Sequence, residues 1–234
     1  MLFVLNQSAL AVAKVSEVYV IRQNSRQGGL ETVYLSSCAV RVIQENSGRV
    51  TIAHAPNWNA VVLNPANRTY FDSKNNTQAL LMQRYMLLEG GDLSKVKWEA
   101  VERAKIAGVD AERYVDASCK TKKYDYRFEC VPEELRACGF WVAADLKVAP
   151  AAANLIARIR GCPQIGKVPL RFVHVTRNKN HVNSVDTLSV QKKLMPLEAL
   201  DIPAGYKRTL TEYDGELKDS GLLDELVPLS GKKR

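Results

Sequence analysis

Residues 54–71 read HAPNWNAVVLNPANRTYF, and the fold follows from how this stretch alternates. Trp58, Ala60 and Val62 fall on one side of an extended chain, while Asn59, Val61 and Leu63 fall on the other, because strand side chains point to opposite faces in turn. Asn64-Pro65-Ala66-Asn67 has turn composition, and Thr69-Tyr70-Phe71 returns as a second arm. The stretch is a hairpin with an aromatic at its mouth, and it offers no reactive side chains at catalytic spacing.

Strand signals continue on both sides. Upstream lie Glu17–Arg22, Thr32–Leu35, Ala39–Ile43 and Arg49–Ala53, the last two joined by the turn Glu45-Asn46-Ser47-Gly48. Downstream, the segments 96–107 and 109–118 form a pair joined at Ala107-Gly108, followed by strands over 124–130, 139–146, 168–175 and 181–194. Two helices are expected. Thr77–Leu88 has Thr77 as N-cap, Met82, Tyr85 and Met86 at helical spacing and Gly90-Gly91 as its stop. The second, 149–161, places Leu155, Ile156 and Ile159 on one side and ends at Gly161. About ten strands with two short helices make a mainly β domain with minor α. An antiparallel sheet of that size has to hide one apolar face. A strongly curved half-barrel, with the short helices on its concave side, does so and leaves an apolar cavity.

The chain has 234 residues, 46% hydrophobic, enough for one sizeable core. Residues 15–210 read as a single domain. Segment 1–14 is apolar but interrupted by Asn6, Gln7 and Ser8, and reads either as the remnant of a secretory signal or as the first element. Segment 211–234 is a charged tail. Thirty-three Lys and Arg stand against twenty-five Asp and Glu, a net charge of +8, which suits acidic partners or a membrane surface. No stretch has the length and apolarity of a membrane-spanning helix.

Five cysteines stand at Cys38, Cys119, Cys130, Cys138 and Cys162, with no knuckle spacing for zinc. Pairs Cys119–Cys130 and Cys138–Cys162 are reasonable disulfides and imply an oxidising compartment; five buried thiols imply a reducing one. His174 and His181 flank a hairpin, where Asp186 could complete a metal site, but edge positions explain them as well, and no metal or cofactor is expected. No G-x-S-x-G elbow, P-loop or H-E-x-x-H occurs, so no catalytic residue is assigned and the chain is read as a non-enzyme. Tyr124, Tyr126 and Phe128 alternate beside Lys122, Lys123 and Arg127 in the manner of a stacking platform. The same alternation builds the apolar face of an ordinary strand, and nucleic acid is not the expected partner.

APNWNAVVLNPANRTYF, KIAGVDAERYV, FWVAADLKVAP, IGKVPLRFVHV and LDIPAGYKR occur in that order between residues 17 and 208. Together they resemble the LolA-like extracytoplasmic lipoprotein-carrier superfamily. The resemblance implies a curved antiparallel half-barrel with helices over a concave face that holds an acyl chain, a hydrophobic ligand or a lipidated protein. It also implies a periplasmic or secreted location. Trp58, Tyr70, Met82, Met86, Trp98, Trp141 and Phe172 are the candidates for lining that cavity. The alternative is an interaction subunit of a larger cell-envelope or secreted assembly, its cavity filled by its own side chains. The chain departs from the carriers in its cysteines and its basic surplus, and its pattern singles out no arginine for the buried latch that holds a carrier's lid.

Overall fold

The computed structural model describes residues 14–26, 28–72, 97–117, 139–175 and 181–209. Its body is one open, curved sheet of twelve strands. In chain order these are β1 (Val15–Ser25), β2 (Gly29–Leu35), β3 (Ala39–Gln44), β4 (Val50–His54), β5 (Val61–Asn64), β6 (Thr69–Asp72), β7 (Trp98–Ile106), β8 (Val109–Asp116), β9 (Gly139–Ala143), β10 (Pro169–Val175), β11 (His181–Pro196) and β12 (Lys207–Thr209). Across the sheet the order is β12-β6-β5-β4-β3-β2-β1-β11-β10-β9-β8-β7. Two antiparallel meanders thus meet where β1 pairs with the long β11, from Val15↔Pro196 to Ser25↔Val185.

The opening hairpin forms as its alternation requires. Val61, Val62, Leu63 and Asn64 pair with Asp72, Phe71, Tyr70 and Thr69. Asn64 Oδ1 accepts the Ala66 amide at 3.1 Å, an Asx turn that helps reverse the chain. The pair 98–106 with 109–116 turns at Ala107 (φ 50°) and Gly108 (φ 85°). Two left-handed residues in a two-residue loop are the geometry that matches strand twist.

One α-helix, α1 (Pro150–Ile159), lies among the described residues. Pro150 starts it, since proline at the first helical position gives up only an amide that has no partner there. It ends at Gly161 (φ 64°), with the Cys162 amide donating to Ala157 O at 2.8 Å. The helix expected over Thr77–Leu88, the strand over 124–130 and the 211–234 tail lie outside the described residues.

The faces of β1–β6 separate cleanly. Ile21, Val33 and Val42 are register partners, as are Tyr19, Leu35, Val40 and Ala53. These rows share one apolar cluster with Ala152, Ala153, Leu155 and Ile156 of α1, and we call their side the inner face. On the outer face Val18, Ala39, Ile52 and Leu63 are covered by the segment after β11, through Leu197, Leu200, Ile202 and Tyr206. That segment contains a 3-10 turn (Leu197–Leu200) and crosses the outer face before β12 joins β6.

One junction of the sheet is parallel, and one expected strand is shorter than its sequence pattern suggests. β12 pairs with β6 in parallel, the single parallel junction in a sheet otherwise antiparallel, because the crossing segment returns the chain in β6's own direction. The strand expected over 139–146 stops at Ala143, where the Ala144 amide turns to Asp110 O at 2.8 Å. Cys162 is a free thiol, only 4% exposed and packed with Phe140, Phe172 and Val185. Cys38 is also free, and Cys119, Cys130 and Cys138 lie outside the described residues. Neither described thiol therefore supports an oxidising compartment.

Candidate functional site

The inner face combines an apolar floor, a helix laid on it and a polar seat beneath the helix end. The ten residues of α1 make a rod about 15 Å long. Twelve strands at about 4.8 Å spacing span about 53 Å. One such helix covers only part of the floor. On the underside of the helix Ala152, Ala153 and Ile156 are fully buried against the sheet, so the space between helix and floor is filled by the protein itself. At the margin of the same cluster Tyr19, Trp58 and Val190 remain partly exposed. Trp58 is held there with φ 51°, a left-handed conformation uncommon for a bulky residue, while its amide donates to His54 O at 2.8 Å. The peptide Ala55-Pro56 before it is cis.

The polar seat is built on Glu31 of β2. The register sets Gln23 and Gln44 on either side of it, all on the inner face. The guanidinium of Arg160, just past the end of α1, donates Nη2–H to Glu31 Oε2 at 2.6 Å. Both residues are about 1% exposed. Gln23 Nε2 donates to Thr187 Oγ1 at 2.7 Å and Pro169 O at 2.8 Å, and Thr187 Oγ1 donates to Leu170 O at 2.7 Å. The seat thus ties α1, β1, β2, β10 and β11 together. Gly28 closes it, since a Cβ there would overlap the Glu31 carboxylate. A buried ion pair needs such surroundings because desolvation opposes its Coulomb attraction. Two further Arg160 nitrogens, Nε and Nη1, find no hydrogen-bond partner among the described residues, nor does Gln23 Oε1.

A second charged cluster lies on β8. Glu112 accepts from Arg103 Nη2 at 2.6 Å and from Lys167 Nζ. The Lys167 hydrogen bond holds the Glu112 carboxyl below the usual carboxylate range, against the opposing effect of burial. Burial acts to lower Lys167, but its hydrogen bonds to Glu112 and Tyr114 outweigh that and raise it. Burial pushes the Cys162 thiol up to about 12, which removes it from nucleophilic chemistry at neutral pH.

Of the seven candidate lining residues, the five that are described divide among three places. Trp58 and Trp141 belong to the α1 cluster. Trp98 and Phe172 flank Phe140 edge-on, with ring centroids 5.8 and 5.6 Å away. Tyr70 is on the outer face with Ile202 and Tyr206, and Met82 and Met86 lie outside the described residues. Asp186 accepts from Arg171 Nε at 2.8 Å, and no group of three or more metal-ligating side chains occurs among the described residues. His54 Nε2 lies 2.9 Å from Asp201 Oδ1 on the outer side. The Tyr124–Phe128 platform is outside the described residues. Sequence patterning did not reveal Glu31 or Arg160, since a lone acid in a strand and a lone base after a helix read as surface positions.

No family model matches the chain, and no curated protein matches it. Among solved structures it is similar to an uncharacterized conserved protein from Thermus thermophilus, at 9% identity and a TM-score of 0.43, over 86% of this chain and 92% of that one.

Proposed function

We propose that this chain is a non-enzymatic, extracytoplasmic binding protein of LolA-like type, which holds a hydrophobic ligand, a lipid or the acyl chain of a lipidated protein, on the inner face. The observation that carries the reading is the margin of the α1 cluster. There Tyr19 and Trp58 stay partly exposed beside a buried apolar floor, and the backbone of Trp58 is held in a sparsely populated conformation. Strain of that kind persists where surrounding contacts fix it, often at ligand sites. The ligand lies beside α1 rather than beneath it, because the space beneath is full.

Titration with a brominated fatty acid tests this, since bromine quenches indole emission only at close range. Saturable quenching at about micromolar concentration is expected, and Trp58→Phe should remove a large part of it. A folded sample that shows no saturable quenching overturns the reading.

A second reading, an interaction subunit with a self-filled interior, draws support from the complete burial of Ala152, Ala153 and Ile156 against the sheet. Mass spectrometry of a solvent extract of the purified protein separates the two. Co-purifying lipid favours the first, and a lipid-free extract the second.

A further inference from the structure

The end of the inner face where β1 begins and β11 ends is not covered by any described residue. Val15 is 55% exposed and Leu194 73%. Scattered apolar side chains on a surface are ordinary, but these two are neighbours. Val15 pairs with Pro196 and Glu17 with Leu194, which sets Leu194 diagonal to Val15 on one face, within reach across the strands. Tyr19 and Val190 continue that row inward to the α1 cluster. On the opposite face of the same strand ends, Met195 and Leu197 are packed with Val18 and Leu200, so only the inner side is bare.

The tip is also firmly held. The Leu197 amide donates to Lys14 O at 3.0 Å, and Lys192 Nζ sits 2.7 Å from Glu17 Oε2. Exposed lysines Lys14, Lys192 and Lys193 stand at these strand ends; Lys192, the register partner of Tyr19, shares the inner face with the apolar pair and with Glu17, while Lys193, the partner of Val18, lies on the other side. The surrounding charge is basic, as is the chain's net charge of +8.

We propose that this strand tip docks on an anionic phospholipid surface, with Leu194 and Val15 entering the interfacial region and the lysines meeting the headgroups. Apolar side chains beside lysines match that surface, because burial and headgroup attraction act together there. The inference deepens the reading above by naming where the hydrophobic ligand is taken up or delivered: the row Leu194, Tyr19, Val190 leads from the lipid surface to Trp58 and the inner floor.

Co-sedimentation with phosphatidylcholine vesicles, with and without phosphatidylglycerol, tests the proposal. The intact chain should sediment with the anionic vesicles only and detach at about 0.5 M salt, where screening falls to about 4 Å. Leu194→Asp should weaken binding more than about tenfold, and Lys192→Gln, on the same face, about fivefold. Both side chains are exposed, so circular dichroism should be unchanged. Failure to bind anionic vesicles, or equal binding by Leu194→Asp, overturns the proposal. So does a dimer seen by light scattering that Leu194→Asp dissociates, since a second copy is then the occupant. Fatty-acid quenching measured in parallel keeps the two readings apart. Vesicle binding without quenching removes the ligand reading alone, and quenching without vesicle binding removes the docking alone.

Discussion

Arg160 and Glu31 show how a single pair organises the inner face. Removing one partner from a buried ion pair leaves an uncompensated charge, at a cost of about 3–5 kcal/mol. Arg160→Met is therefore expected to lower unfolding free energy by about 3 kcal/mol in urea titrations. Adding Glu31→Gln to it should recover part of the loss, because the second change removes the stranded charge. A double variant as unstable as the sum of the singles contradicts this account of the seat. Glu112 makes a prediction in pH. Folding lowers its pKa, so its pairing contributes fully above the usual carboxylate range and is lost as pH falls through the lowered value. Lys167 is raised, so its share is present below its ordinary range and fails only at strongly alkaline pH. Glu112→Gln should accordingly melt below the parent chain at pH 7, and the gap should close as the pH falls through the lowered value. A gap in melting temperature that persists in acid means that Glu112 acts through packing rather than charge.

Single elements follow local rules closely enough to test them one at a time. The β7–β8 hairpin turns through Ala107 and Gly108, both left-handed. A Cβ added at Gly108 meets nothing within 4 Å, so Gly108→Ala isolates the backbone effect. It should cost about 1 kcal/mol and leave fatty-acid quenching unchanged. Ala107→Asn should gain a few tenths of a kcal/mol, about what an asparagine tolerant of that conformation supplies. If both variants lose stability equally in thermal melts, the turn is not controlled by φ preference. β7 itself lies at the end of the strand order, with Glu99, Glu102, Arg103 and Lys105 along it and a bulge between Ala100 and Glu102. Charges and a bulge are common means of blunting a free edge.

At the level of the whole molecule, the sheet has two differently covered sides, and a pair of substitutions can tell them apart. Leu200 is fully buried on the outer face with Val18 and Ala39. Leu200→Ala should lower stability by about 2–4 kcal/mol while leaving fatty-acid quenching intact. Trp58→Phe should do the reverse, with little loss of stability and a clear loss of quenching. Quenching abolished by Leu200→Ala in a sample still folded would place the ligand on the outer side and remove the inner-face reading.

Much of this architecture was legible in local patterning. The alternation in 54–71, the Ala107-Gly108 turn and the apolar side of 149–161 are short-range features, because strand and helix periods are properties of neighbouring residues. They were enough for a mainly β chain with an antiparallel, curved sheet, and the alternation in the first hairpin even sorts Ala60 from Leu63 by face. The lining candidates were less legible: Tyr70 and Trp58 read alike in sequence, yet they sit in clusters on opposite faces. Glu31 and Arg160, 129 positions apart, carry no local sign of each other. The parallel junction of β12 with β6, the free state of Cys162 and the bare tip at Val15 and Leu194 depend likewise on which distant segments come to rest against each strand. Periodicity determines how each segment hides its own apolar side, whereas the pairing of charges and the identity of an uncovered surface exist only once the segments have closed on one another.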